Sequence, residues 1–244
     1  MTPTTNPGVA PARQPIRVGN EALRQAGFWS AVLTTFWSLA FTVAFAAEAV
    51  TSPPSTTWQG IEAYAASFSA VRMALVLVPS ILLAPSFVAL VACVHEGAPA
   101  AKKAWTRLSL AFSIIYAVVA SLNYTIQLIV VRGNILGPDK QALALVAMDN
   151  PHSLFWGLAI LGYNFYMAAA GVLIIPALGK DLLDRWISWL FGVNAVATVI
   201  GGVFYFVTLD VFHPLGLIST AVWCLAFPAA TTLLAVRFRR MAAA

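Results

Sequence analysis

Residues 70–92 have the sequence AVRMALVLVPSILLAPSFVALVA, in which Arg72 is the only charged residue. An α-helix rises 1.5 Å per residue, so a stretch of this length crosses a hydrocarbon core of about 30 Å. Charged residues make up 9% of the 244 residues and hydrophobic residues 60%, whereas an ordinary soluble domain has about 25% charged residues. The stretch therefore predicts a membrane-spanning helix.

Five further apolar stretches are long enough for the same prediction. The six predicted spans are 28–50, 70–92, 108–131, 154–178, 186–208 and 215–236. The expected fold class is an all-α integral membrane protein built as a six-transmembrane-helix bundle. Residues 1–27, rich in Pro, Thr, Gly and Arg, are expected to form a flexible cytoplasmic tail. Residues 237–244 are expected to form a second cytoplasmic tail.

Small residues at 44–49 (AFAAEA) give the first span some likeness to a signal peptide. Its apolar run exceeds the usual length of about 7–15 residues, so we expect it to be retained. Basic residues then predict the orientation, because cytoplasmic loops are enriched in Lys and Arg. Eleven of the 14 basic residues fall on the side that holds both termini, and Arg72, Arg132 and Lys140 fall on the other. The sequence predicts both termini inside, in the inner (cytoplasmic) membrane.

Several function classes are disfavoured by the sequence. The net charge of +5 comes from small basic groups between apolar runs, so no nucleic-acid partner is expected. Cys93 and Cys224 are far apart, the chain has no metal-binding or nucleotide-binding motif, and no span contains a histidine. We therefore expect neither a metal nor a cofactor.

Polar residues inside spans are the first functional candidates, because in lipid each needs a partner or a watery cavity. One helix face of span 3 carries Ser109, Ser113, Tyr116, Ala120, Asn123 and Gln127. The carboxamides Asn123, Gln127 and Asn164 either line a cavity, with Tyr163, or hydrogen-bond between helices. Both interpretations stay open.

Ionisable residues gather at the predicted outer ends of the spans. Glu48 and Arg72 lie about one turn inside adjacent span ends, where they could hold the polar head of a ligand. The alternative is a structural ion pair, or side chains that simply reach the interface. Asp149 and His152 precede span 4, and this segment is expected either to cap the helix or to supply an acid and a base.

The connections at 55–69 and 138–149 could each form a short helix over a cavity or serve as plain linkers. Trp37 and Trp223, deep within spans, are expected to pack in the bundle or line a cavity.

Three functions remain in contention. The first is binding or transport of a small amphipathic molecule or lipid in an outward-facing cavity, using Glu48, Arg72, Asn123, Gln127, Tyr163 and Asn164. The second is a membrane-embedded isomerase or cyclase, with Glu48, Asp149 or His152 in acid–base roles and aromatic walls from Trp37, Tyr116, Tyr124 and Trp223. The third is a scaffold or accessory subunit. The expected partners are the lipid bilayer and such a ligand, with room for a homo-oligomer.

Overall fold

The computed structural model describes residues 16–51 and 58–241. Within them, six helices are long and apolar enough to cross a membrane, as predicted. These spans 1 to 6 are Ile16–Thr51, Ala70–Gly97, Ala100–Asn134, Leu154–Ala177, Leu182–Thr208 and Pro214–Arg240.

The helices extend beyond the predicted spans where their ends are polar. Span 1 begins at Ile16, inside the stretch predicted as a tail, and the first fifteen residues of that tail lie outside the described part of the chain. Span 6 continues to Arg240, into the predicted C-terminal tail, whose residues 242–244 also lie outside the description. Hydropathy marks the apolar middle of such helices better than their ends.

The spans pack as a ring in chain order, and the ring closes where span 6 packs on span 1. At this closure the Thr35 and Thr231 hydroxyls share a hydrogen bond of 2.8 Å. Spans 5 and 6 approach closely at Gly201, because this residue has no side chain. A Cβ there would overlap Ser219. Small residues at such crossings let helix backbones come together.

The two ends of the bundle differ in chemistry, and we name each by one residue. The Glu48 end carries Glu48, Arg72 and both short connecting helices, Ile61–Ser67 and the 3-10 helix Gln141–Leu145. The Arg237 end carries the ion pair between Arg237 and Asp184, whose Nε and Oδ1 atoms are 2.8 Å apart.

The connections at the Glu48 end are helical, as one of the two interpretations predicted, although residues 52–57 lie outside the description. Glu62 joins them: its carboxylate lies 2.7 Å from Lys140 Nζ and 3.4 Å from Gln141 Nε2. This contact holds the two connections together over one end of the ring.

Candidate functional site

Aromatic rings from all six spans meet in the middle of the bundle. Tyr163 of span 4 contacts Tyr116 of span 3 and Trp223 of span 6, with ring centroids 5.2 and 5.3 Å apart. The other members of the cluster are Phe41, Phe87, Phe191 and Phe227. Edge-to-face pairs of this kind are favourable because the positive ring edge meets the negative face.

A cavity of about 150 Å³ adjoins this cluster on the side of the Glu48 end. Its walls are mainly apolar, with eight aromatic residues among them, and come from all six spans and from the connection before span 4. Representative wall residues are Phe41, Tyr124, Met148, Tyr163, Tyr205 and Trp223. A wholly apolar cavity of about this volume holds a benzene-sized molecule.

Two polar atoms in this wall lack a hydrogen bond. Tyr163 Oη and Trp223 Nε1 are buried, and neither has a hydrogen-bond partner among the described residues. The hydroxyls of Tyr116, Tyr124 and Ser80 are close hydrogen-bonding neighbours of the Tyr163 hydroxyl, although none of them meets the geometry of a full hydrogen bond to its Oη. Buried polar groups are normally hydrogen-bonded, so two such atoms on residues that line one cavity are unusual.

Irregular helix geometry places these side chains. Span 4 is a π-helix over Leu161–Met167, which contains Tyr163 and Asn164. Span 3 is a π-helix over Ile126–Val131, which begins two residues after the wall residue Tyr124. A π-segment holds an extra residue per turn and rotates the following side chains, and such segments are frequent at functional sites. Both π-segments flank the cavity.

The cavity reaches the surface at the short turn between spans 5 and 6. Asp210 lines it and is exposed, and its Oδ1 accepts a 2.8 Å hydrogen bond from the Phe212 backbone N–H. The preceding Leu209 has φ 55°, in the left-handed region that costs a branched residue energy. This strained turn forms the mouth of the cavity.

Of the predicted ligand-binding residues, Tyr163 and Asn164 line the cavity. The Asn164 amide also donates to the Thr198 carbonyl over 2.8 Å, which joins spans 4 and 5. Gly202 allows this approach because it has no side chain. A Cβ there would overlap Asn164 and Phe165. Asn164 therefore combines both roles that the sequence left open.

The other two carboxamides of the predicted set bind backbone groups of the connection before span 4 and of the first turn of span 4. Gln127 donates to the Val146 carbonyl over 2.6 Å and accepts from the Met148 N–H over 3.2 Å. Asn123 donates to the Phe155 carbonyl over 3.0 Å. Both side chains are buried, and the Gln127 contact fixes Met148 in the cavity wall. Gln127 thus joins span 3 to the connection, whereas Asn123 joins span 3 to the first turn of span 4.

Glu48 and Arg72 form a two-pronged ion pair between spans 1 and 2. Arg72 Nε lies 3.0 Å from Glu48 Oε2, and a second guanidinium nitrogen contacts Oε1. Both side chains are partly exposed, at 33% for Glu48 and 42% for Arg72. The pair lies at the end of the bundle and is separate from the described cavity wall.

Asp149 lies near this ion pair. It is exposed by surface area, yet neighbouring atoms crowd its carboxylate, and this desolvation raises the pKa of Asp149 above its ordinary value. The charge of Glu48 raises the pKa of Asp149 further, whereas that of Arg72 lowers it. Burial, with a contribution from Asp149, also raises the pKa of Tyr64.

The segment before span 4 forms a turn around Asn150. Asn150 Oδ1 accepts from the His152 N–H over 3.1 Å, and its Nδ2 donates to the Ala144 carbonyl over 2.7 Å. Ser153 occupies the N-cap position without a side-chain cap bond. His152 is exposed. Asp149 and His152 lie close in sequence to the wall residue Met148, but they are not among the described wall residues of the cavity.

Sequence reasoning missed two features. Tyr205 and Asp210 belong to the cavity, and their placement depends on how spans 4, 5 and 6 converge. The ion pair of Asp184 with Arg237 joins the first turn of span 5 to the last turn of span 6. Asp184 is 6% exposed and also accepts from the Gly179 N–H over 2.5 Å. The sequence did offer one signal for this pair: an acidic residue at the start of one span and an arginine at the end of the next span.

Among the described residues, no group of three His, Cys, Asp or Glu side chains could hold a metal ion. No protein-family model matches the chain, and no curated protein or solved structure gives a significant match.

Proposed function

We propose that this chain is a multi-pass membrane protein that binds or transports a small amphipathic molecule, or one end of a lipid, in the cavity beside Tyr163 and Trp223. One observation carries the proposal: the wall of an apolar cavity of about 150 Å³ includes two residues, Tyr163 and Trp223, whose buried polar atoms have no hydrogen-bond partner in the described chain. Binding sites for small molecules typically combine apolar walls with a few placed polar groups.

The wall chemistry sets the ligand class. The rings of Phe41, Tyr124 and Trp223 favour a flat or short apolar body. Trp223 Nε1 can only donate a hydrogen bond, so the ligand should carry an acceptor such as a hydroxyl or carbonyl oxygen. The volume limits the enclosed part to about the size of benzene with one substituent.

We also propose that both termini lie in the cytoplasm, that the membrane is the cell's inner membrane, and that the cavity opens outward. The support is the excess of basic residues at the Arg237 end. In a variant with both cysteines replaced by serine, a membrane-impermeant maleimide should label Asp139→Cys in intact cells. It should label Arg240→Cys only after permeabilisation. The opposite pattern would reverse the orientation.

Thermal unfolding of the detergent-purified protein tests ligand binding. Toluene, benzyl alcohol and benzylamine have nearly equal size and differ in their polar group. Benzyl alcohol should raise the unfolding temperature most, because it offers an apolar ring and an acceptor oxygen. Ala159→Leu fills the cavity wall and should abolish the shift, whereas Ala111→Leu, at an exposed position of span 3, should retain it. Equal shifts in both variants would refute binding at this cavity.

The acid–base enzyme is the second candidate, and the raised pKa of Asp149 favours it. Asp149 follows Met148, a residue of the cavity wall, so its carboxyl group lies at the same end of the bundle. Catalysis through Asp149 predicts that Asp149→Asn abolishes product formation while benzyl alcohol still binds. The scaffold hypothesis has less support, since the polar stripe of span 3 is buried within the single chain.

A further inference from the structure

A second concavity lies between spans 5 and 6 on the outer surface of the bundle. It has a volume of about 820 Å³, and its walls are almost wholly uncharged. Gly192, Val196, Ala197 and Ile200 form its floor and sides, and Ile218 forms part of the opposite wall. Val196 and Ile218 are 63% and 56% exposed, so the groove is open to whatever surrounds the bundle.

One charged residue lines the groove, and it lies at one end. Arg185, in the first turn of span 5, is exposed and takes part in none of the ion pairs formed by the described residues. Ser188 and Trp189 lie beside it in the wall. Trp189 is 61% exposed and contacts Trp186 edge to face. Exposed tryptophans beside a basic residue are typical of the level of lipid headgroups.

The dimensions suit one acyl chain. From Arg185 to Ile200 the helix rises about 22 Å at 1.5 Å per residue. One leaflet of the hydrocarbon core is about 15 Å thick, so an acyl chain anchored at Arg185 and confined to one leaflet would fit within the length of the groove. A basic residue at one end of an apolar groove between membrane helices can pair with an anionic lipid headgroup.

We propose that this groove binds one anionic phospholipid of the bilayer, with its phosphate paired to Arg185 and one acyl chain lying between spans 5 and 6. The Trp189 indole N–H would donate to the phosphate or the ester oxygens, whereas the Ser188 hydroxyl already donates to the Asp184 carbonyl over 2.8 Å. Ser219, which lines both this groove and the aromatic cavity, lies at the end of the groove away from Arg185. The groove is a site distinct from that cavity.

Native mass spectrometry of the full chain, titrated with phosphatidylglycerol or phosphatidylcholine of identical acyl chains, tests the proposal. The wild-type protein should retain one phosphatidylglycerol more tightly than phosphatidylcholine. Arg185→Gln should weaken phosphatidylglycerol binding about fivefold and remove the preference, since one basic residue near an anionic surface contributes about 1 kcal/mol. Arg239→Gln makes the same charge change at an exposed position of the same end and should bind as the wild type does.

A second variant tests the acyl-chain part without loss of charge. A Cβ at Gly192 would meet nothing within 4 Å, so Gly192→Leu adds a side chain to the groove wall at an unobstructed position. It should lose the bound lipid for both headgroups. Gly133→Leu, where an added Cβ would likewise meet nothing within 4 Å, is the matched control. Equal lipid retention by Arg185→Gln and Arg239→Gln, or full retention by Gly192→Leu, would overturn the proposal.

Discussion

The Trp223 indole meets the Tyr163 ring edge to face, with centroids 5.3 Å apart and planes at 90°. Neither Trp223 Nε1 nor Tyr163 Oη has a hydrogen-bond partner among the described residues, although both are buried in the wall of one cavity. An unsatisfied buried polar group costs about 1–3 kcal/mol. A ligand that supplies partners for both atoms would recover that cost, and this recovery is the energetic basis of the proposed binding.

Trp223→Phe removes the indole N–H group and keeps an aromatic ring at this position. We expect the variant to bind toluene as the wild type does but to bind benzyl alcohol about three- to tenfold more weakly, since one hydrogen bond contributes about 0.5–1.5 kcal/mol. Thermal shifts over a concentration series would measure both affinities. Trp189→Phe removes an indole N–H outside the cavity and serves as control. Equal benzyl alcohol binding by the wild type and Trp223→Phe would show that Nε1 does not contact the ligand.

The Glu48–Arg72 ion pair should contribute modestly to stability. Both side chains are about one-third or more exposed, so solvent screens the pair even though it has two contacts. A double-mutant cycle with Glu48→Gln and Arg72→Gln should give a coupling free energy of about 0.5–1 kcal/mol in denaturant unfolding. Additive single effects would show that the two side chains do not stabilise each other.

Asp149 should make stability depend on pH in a defined direction. Its pKa is raised in the folded protein, so its contribution to stability is fully present below the ordinary pKa of 3.8 and is lost as pH rises through the folded value. Asp149→Asn should therefore stabilise the protein at pH 7 and have no such effect below pH 3.8. Unfolding free energies measured at both pH values provide the test. A variant less stable than the wild type at pH 7 would contradict the assigned desolvation.

The contact of Gly201 with Ser219 should tolerate no added methyl group. Gly201→Ala places a Cβ where Ser219 already lies, and such overpacking costs about 1–3 kcal/mol. Ser219→Gly removes the overlapping atoms and should restore much of the lost stability in the double variant. Gly192→Ala, on the same helix in open space, should be neutral or stabilising. Thermal unfolding of the four proteins distinguishes packing from helix propensity, since propensity alone would make Gly201→Ala stabilising.

The spans were predictable because each depends on a local property, the length of an apolar run. Spans 2, 4 and 6 begin at Ala70, Leu154 and Pro214, within one residue of the predicted starts. The buried face of span 3 was predictable for a similar reason, since helical periodicity places Ser109 and Gln127 on one side, and both are fully buried. Periodicity is a property of a single segment and needs no knowledge of its neighbours.

The cavity could not be predicted, because it depends on how separate helices converge. Nothing in their spacing brings Phe41 of span 1 against Trp223 of span 6, 182 residues later. The partners of Gln127 were hidden for the same reason, since they are backbone groups of a connection whose path the sequence does not define. The π-segment that contains Tyr163 has no marker in the sequence pattern.

Equilibrium binding of radiolabelled benzyl alcohol to the purified, full-length chain tests the central claim most directly. We expect saturable binding of one molecule per chain by the wild type and by Ala111→Leu. We expect none by Ala159→Leu, because its leucine side chain occupies the cavity. All three proteins must show the same unfolding transition without ligand, so that loss of binding reports the cavity itself. Saturable binding of benzyl alcohol that persists in Ala159→Leu, or its absence from the folded wild-type protein, would contradict the account.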